Sequence, residues 1–295
     1  MDILLVGASG QLGRALHGKL AQLGDVAAPS RMEFDLARED SVRRGLNAAR
    51  PELIVNAAAY TDVDRAEKER DVAQKINTHA PAVLAQWAAA HDTALLHYSS
   101  DYVFDGKGRT PYRESDPAEP VNFYGETKRA GEVAVAESRA EHLIIRTSWL
   151  YDAQGANFLR TILRLAKECN TVRIVEDQIG APTPAWWLAE ASVQILQRFL
   201  ERRRSGLLHV ATAGTTSWYG FAKAIIDGAR DRQLPLSVAE IQPIATRDYP
   251  APTARPENSV FDLTRLQTEF YVNPPHWRDA LSPVLDDFAD AADKP

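Results

Sequence analysis

Short apolar runs alternate with segments of helical spacing over the first half of the chain. Residues 3–6 (Ile-Leu-Leu-Val) form a run of strand length, and Gly7, Gly10 and Gly13 follow at once. Leu12, Ala15, Leu16, Leu20 and Leu23 then recur at the spacing of one helix face, up to Gly24. A short second strand is expected at 26–28. A helix opened by Ser41 should run through Leu46 and Ala49 to Pro51. Residues 53–58 read as a strand passing into a small-residue turn, and 71–90 as a long alanine-rich helix containing Asn77. A strand at 94–100 ends in hydroxyls, 124–136 is helical, and 143–146 is again a strand.

Such alternation predicts an α/β fold, a Rossmann-like doubly wound parallel sheet with helices on both faces. Ligands on that sheet lie beyond the carboxyl ends of its strands. The ends at Gly7, Asn56 to Ala58, Ser99 with Ser100, and Arg146 to Trp149 should therefore converge on one crevice.

Past residue 150 the rhythm breaks. The pattern gives an amphipathic helix at 157–167, a strand at 172–175, a turn-rich link at 178–184 and a helix from about Ala185. A strand at 207–210 follows, then strands at 239–241 and 259–261 separated by the proline-rich stretch 249–256. This suggests a dinucleotide-binding domain over 1–150, with segments around 185–215 returning to it. A smaller α/β substrate domain is expected to use 151–184 and 216–295.

Composition narrows the function. A chain of 295 residues can bury a large core, and 45% hydrophobic with 25% charged residues is ordinary for a globular enzyme. The net charge of −6 gives no reason to expect a nucleic-acid partner. One cysteine, Cys169, allows no internal disulfide. No apolar run approaches the roughly 20 residues of a membrane span, and a strand from residue 3 leaves no room for a signal peptide. A cytoplasmic protein without a membrane partner is expected.

The glycines carry the first chemical signal. A dinucleotide pyrophosphate needs one glycine for the tight turn, one for close approach of the phosphates, and one for close helix packing. The free N–H groups at the helix start then hold the anion. A second signal is Tyr124 with Lys128, four apart and so on one helix face. A tyrosine hydroxyl of pKa ~10 shuttles protons poorly at neutral pH, and a nearby ammonium would lower it towards the working range. The pair alone is weak evidence. Ser100 and Asp101 at a strand end upstream make it specific, because a hydroxyl there can bond both the reacting oxygen and the tyrosine.

Five segments carry a family resemblance: residues 7–13 (GASGQLG), 55–61 (VNAAAYT), 98–106 (YSSDYVFDG), 122–128 (NFYGETK) and 146–151 (RTSWLY). They resemble the extended short-chain dehydrogenase/reductases. Residues 177–183 (DQIGAPT) and 254–259 (ARPENS) extend the likeness towards the sugar-nucleotide reductases of that family. The resemblance implies that Gly10, Gln11 and Leu12 meet the pyrophosphate, and that Asp35 and Leu36 border the adenine. Ala59, Tyr60, Thr61 and Tyr98 would line the ribose side. Tyr124 would donate the proton, and Lys128 would hold the nicotinamide ribose. Ser100 and Asp101 would touch the sugar nucleotide, with Trp149 packed on its sugar or base. Ser100 stands where threonine is frequent in these reductases, and the hydroxyl is kept. Some members dimerise through carboxylates that bridge a metal, but the matching places carry Ala15 and Trp186, so no metal is expected and the chain is a monomer or homodimer. Trp186 and Trp187 read as core or interface aromatics.

The implied reaction is hydride transfer to the C4 carbonyl of a 4-keto-6-deoxy sugar nucleotide. The stretch after the second strand, with Ser30 and Arg31, has no carboxylate before Glu33, which favours NADPH and leaves NADH possible. Arg255 is either a clamp on the substrate pyrophosphate or a structural ion pair. Two other functions remain open: a sugar-nucleotide epimerase or dehydratase on the same scaffold, and a non-catalytic cofactor-binding subunit. A dehydratase usually has a glutamate after the acid at the strand end, and here Tyr102 follows Asp101. If Tyr124 is the proton donor, Tyr124→Phe keeps cofactor binding and loses turnover by a factor on the order of 10² or more. Steady-state kinetics showing near-normal turnover in that variant would overturn its role.

Overall fold

The computed structural model describes residues 1–292, so the last three positions of the expected substrate domain lie outside the described residues. Strands β1 (Asp2–Val6), β2 (Asp25–Ala27), β3 (Leu53–Asn56), β4 (Ala94–Ser100) and β5 (His142–Thr147) alternate with helices α1 (Gln11–Leu20), α2 (Glu39–Ala49), α3 (Ala80–Ala90) and α4 (Phe123–Glu137). Helix α5 (Phe158–Glu168), strand β6 (Thr171–Val175), helix α6 (Ala185–Arg202), strand β7 (Gly206–His209), helix α7 (Trp218–Asp231), strand β8 (Glu240–Ile244) and helix α8 (Trp277–Ala292) follow. The main sheet is ordered β7-β5-β4-β3-β1-β2 and is parallel throughout. This is the expected doubly wound sheet.

Its apolar runs are short and continuous because both faces are covered. Alternate residues of β1 divide between the two layers. Ile3 and Leu5 join a cluster with Leu12, Leu16 and Leu20 of α1 and Leu188, Leu196 and Phe199 of α6. Leu4 and Val6 join Val42 and Leu46 of α2, Val83 and Leu84 of α3, and Val135 of α4. The period of two along the strand and the helical stripes meet in these cores. Beyond β1 the chain continues to the outer β2, then returns on the other side of β1 as β3, creating a switch point between β1 and β3.

A second cluster lies outside this sheet. There β6 pairs in parallel with β8, and Leu159, Ile162, Phe221, Ile225, Trp277 and Leu281 from α5, α7 and α8 pack together. Neither α7 nor α8 is evident in the sequence pattern. Helix α7 opens on an aromatic group after the Ser217 cap, which accepts the Gly220 N–H at 3.0 Å. Helix α8 contains Pro283, which reads as a breaker.

Other expectations are corrected in detail. The helix expected over 71–90 is interrupted by a π-turn at Lys75–His79, and Asn77 within it bonds Thr127 and both main-chain polar groups of Tyr60. Residues 259–261 form no strand: Phe261 makes one isolated bridge, to Tyr112. The third strand stops at Asn56, and α2 starts at Glu39 rather than Ser41, whose hydroxyl accepts the Asp35 N–H at 3.0 Å.

Two strand-end residues expected at the crevice are instead locked inside. Asn56 bonds Nδ1 of His97 at 3.0 Å. Arg146 bonds both carboxylate oxygens of Glu132 on α4 at 2.7 Å, and these two side chains are 2% and 1% exposed. Burial raises the Glu132 pKa, but the Arg146 contacts prevail and hold it below the usual range. Removing one partner of such a pair leaves a charge without compensation. Glu132→Ala should therefore lose about 3–5 kcal/mol of unfolding free energy, measured by denaturant titration. A loss under about 1 kcal/mol, as exposed pairs give, would contradict the pairing.

Candidate active site

A crevice of about 1250 Å³ opens at the carboxyl ends of the sheet strands. The chain after β1 builds its floor. Gly7 has φ +87°, and a Cβ there would meet the Ala58 nitrogen at 2.7 Å. A Cβ on Gly13 would stand 2.0 Å from the Gly7 oxygen, so glycine is what lets α1 sit against the turn. Gly10 precedes α1 without a side-chain cap, and no acidic residue stands in the first turn. The unsatisfied N–H groups and the positive helix end therefore face the crevice, an arrangement that suits a phosphate anion.

Gly7, Gly10, Gln11 and Leu12 line the crevice, and Gly13 supports it from beneath. Ser30, Arg31, Asp35 and Leu36 line one end, and Ala59, Thr61 and Tyr98 line the middle. Tyr60 is placed differently: its hydroxyl donates to Glu69 at 2.7 Å, away from the crevice. The Tyr98 phenol also turns into the helical layer and bonds Ser192 at 2.5 Å.

Tyr124 and Lys128 stand on one stripe of α4, which starts where Asn122 accepts the Gly125 N–H at 2.8 Å. Both side chains are buried and border the crevice. Nζ of Lys128 donates to the Tyr98 carbonyl at 2.6 Å, and burial draws its pKa down to about 8 against the pull of Glu132. Burial pushes the Tyr124 phenol well above its ordinary pKa, and the Ser100 hydroxyl only partly opposes this. The lowering expected from the ammonium is not found: burial dominates, and the groups acting on the phenol are Ser100, Asp101 and Tyr102. At neutral pH Tyr124 is thus a phenol carrying its proton. Ser100 and Asp101 lie opposite at the end of β4.

The far wall was less legible. Trp149 has φ 48° and stacks on Trp218 with ring centroids 3.5 Å apart. Its indole lies over Gly180, where a Cβ would approach to 2.4 Å. Gln178 accepts the Trp218 indole N–H at 3.2 Å. The 177–183 segment thereby seats the indole pair. Asn157, the cap of α5, donates to Gln11 at 2.9 Å, and Arg14 pairs with Asp152 at 3.2 Å, so the glycine turn touches the opposite wall. Arg255 lines the crevice and pairs with Asp64 at 3.0 Å. No sequence signal distinguished Trp218 or Asp64, and the pattern marks Asn157 only as the start of a helix.

Among the described residues no helix is long and apolar enough to cross a membrane. Among the same residues no group of three His, Cys, Asp or Glu side chains is arranged to hold a metal ion. Ala15 and Trp186 offer no carboxylate, and Trp186 donates its indole N–H to the Ala280 carbonyl at 3.4 Å.

A doubly wound sheet with a glycine turn after its first strand, faced by a Tyr-x-x-x-Lys helix, has the form of an extended short-chain dehydrogenase/reductase. Residues 1–290 match the family described as RmlD substrate binding domain, and the chain belongs to that family. It is 45% identical over 288 residues to a dTDP-4-dehydrorhamnose reductase of Burkholderia thailandensis, covering 95% of this chain and 97% of the relative. A dTDP-4-dehydrorhamnose reductase of Bacillus anthracis, crystallised in complex with NADP, superposes with a TM-score of 0.88. The two are 33% identical over 97% of this chain and 98% of the other. The UDP-glucose 4-epimerase of Thermus thermophilus, 17% identical with a TM-score of 0.82 over 99% of this chain and 100% of its own, shares the fold.

Glu33 was not among the expected site residues. It lines the crevice end, and its carboxylate accepts both the N–H and the hydroxyl of Ser30 at 2.8 Å. A dinucleotide 2′-phosphate lying at this end, as expected from the sequence, would compete for those donors and meet that charge. Glu33→Gln should therefore tighten NADPH about fivefold, the scale of an exposed charge pair, and leave NADH nearly unchanged. Fluorescence titration with each dinucleotide checks this, and equal tightening of both would contradict it.

Proposed function

We propose that the chain uses NADPH to reduce the C4 keto group of dTDP-4-dehydro-L-rhamnose, giving dTDP-L-rhamnose. The observation that carries this reading is the buried Tyr124, protonated and beside Ser100, in a crevice whose floor is the glycine turn. The names of full-length relatives at 39% and 45% identity support it, as does the NADP bound to the Bacillus anthracis enzyme.

The residues fit such a cofactor, since the cradle formed by Gly7 and Gly13 has no room for side chains and the start of α1 is uncapped. Gly10, Gln11 and Leu12 would hold the pyrophosphate. Asp35 and Leu36 would border the adenine, with Ser30 and Arg31 at the ribose phosphate. Ala59, Thr61 and the main chain of Tyr60 and Tyr98 would flank the central riboses. A bound reduced nicotinamide supplies the hydride for the carbonyl carbon.

The protein's part is to handle the oxygen. As the carbonyl is reduced its oxygen becomes alkoxide-like, a stronger base than a phenolate, and Tyr124 delivers its proton there. Lys128, charged at neutral pH, steadies the phenolate left behind from one helical turn away. Ser100 and Asp101 would hold the sugar, with Trp149 packing on the sugar or base. Arg255, paired with Asp64 through one nitrogen, would offer its unpartnered Nε–H to a substrate phosphate. We assign the division of labour expected from the sequence, with the sheet lobe holding the cofactor and the lobe around β6 and β8 closing on the substrate. The enzyme works in the cytoplasm as a monomer or homodimer, without a nucleic-acid or membrane partner.

Purified protein should consume NADPH only when dTDP-4-dehydro-L-rhamnose is added, with dTDP-L-rhamnose identified by NMR. No substrate-dependent loss of NADPH absorbance would leave the non-catalytic reading standing. Oxidised cofactor held tightly through purification would favour an epimerase or dehydratase, because a reductase must exchange its cofactor every turnover.

A further inference from the structure

Ser100 has one hydroxyl hydrogen, and it goes to Oδ1 of Asp101 at 2.9 Å. Its oxygen also accepts the Tyr102 N–H at 3.2 Å. In this arrangement Ser100 has nothing left to donate to a substrate oxygen, although it borders the crevice and acts on the Tyr124 phenol. Asp101 is only 2% exposed, and its Oδ2 is buried without a hydrogen-bond partner. A carboxylate is a poor occupant of such a place, whereas a carboxylic acid could turn its O–H towards Ser100.

We propose that the protonation state of Asp101 sets the direction of the Ser100 hydroxyl, and that the protonated acid reloads Tyr124 through Ser100 during reduction. The proposal rests on the reductase reading above and makes Asp101 a positioning residue, acting through its neighbour. After the Tyr124 O–H bond has broken and the sugar oxygen holds the proton, the phenolate takes the Ser100 hydrogen. The Ser100 oxygen takes the carboxyl proton of Asp101, and Asp101 is left as a carboxylate. Water entering the crevice returns one proton to it, so one proton is consumed per carbonyl reduced. With Asp101 ionised, Ser100 points back at the carboxylate and the relay is closed to donation.

The surroundings agree with this switch. Burial raises the Asp101 carboxyl to about 6, partly opposed by the Ser100 hydroxyl and by the other polar groups around it, among them a Ser259 hydroxyl that lies near without bonding Oδ2. The titratable and charged groups nearby are Tyr124 on α4, Tyr102 after β4, and Arg255 from the C-terminal loop, itself held by Asp64. None of the influences that set the Asp101 carboxyl is a cation. The acid form is therefore populated below about pH 6 and the relay weakens above it.

The test is the rate of reduction at saturating substrate, from about pH 4.5 to 7, below the range in which Lys128 loses its proton, for the wild type, Asp101→Asn and Ser100→Ala. The wild-type rate should fall about tenfold per pH unit above its break, as loss of a single required proton dictates. Asp101→Asn, whose amide cannot titrate, should show no break. Ser100→Ala should be slower and also lack the break, because Asp101 is then disconnected from Tyr124. In the ligand-free protein, infrared titration should show a buried carboxylic-acid band that disappears on ionisation and is missing in Asp101→Asn. NADPH fluorescence titration confirms that each variant is folded, and Ser100→Ala keeps the test decisive should Asp101→Asn fail to fold. A wild-type break that persists in either variant, or the absence of a titrating band, overturns the proposal and leaves the reductase reading intact. A wild type with no substrate-dependent turnover overturns the reductase reading instead, while the infrared titration still decides the state of Asp101.

Discussion

The ion pair between Glu132 and Arg146 fixes everything that matters on α4. Tyr124, Lys128 and Glu132 follow one another at four-residue intervals, so they form a single stripe facing the sheet. Anchoring the last of them to β5 through two bonds of 2.7 Å sets both the rotation and the depth of the helix. Lys128 can then reach the Tyr98 carbonyl, and Tyr124 can stand over the end of β4. Bidentate geometry tolerates little sliding. A helix held by apolar packing alone would locate its phenol less sharply.

The C-terminal segments serve as braces across this arrangement. Ala254 accepts a hydrogen bond from Asn122, the cap of α4, at 2.8 Å, and Asn258 donates to Gly108 at 2.7 Å. The Ser259 N–H donates to the Ile179 carbonyl at 2.8 Å. Residues far apart in the chain thus stiffen one rim of the crevice. The 177–183 and 254–259 motifs look alike in sequence as loop segments, yet one seats the indoles and the other ties down the start of the tyrosine helix.

Much of this was legible in the sequence, for physical reasons. Continuous apolar runs mark strands covered on both faces, and glycine spacing marks a backbone that must approach an anion, so the sheet and its turn could be read directly. Tertiary satisfaction of polar groups could not. Arg146 and Asn56 stand at strand ends like Ser100, but buried partners capture them, and no local pattern reveals a partner on another element. Helix α7 is masked by its aromatic start, and α8 by Pro283. Lys128 sits where its spacing implied, whereas the balance between its charge and the burial of Tyr124 depends on depth, a property of the assembled fold.

The link from Gln11 to Asn157, with Arg14 to Asp152 beside it, bears on turnover. These contacts join the start of α1 to residues 152–157 beside the crevice, and both members of the Arg14–Asp152 pair are partly exposed. Exposed polar contacts of this kind are worth little individually. Under the function proposed above, contacts this weak would align an arriving dinucleotide yet let a spent one go at little cost.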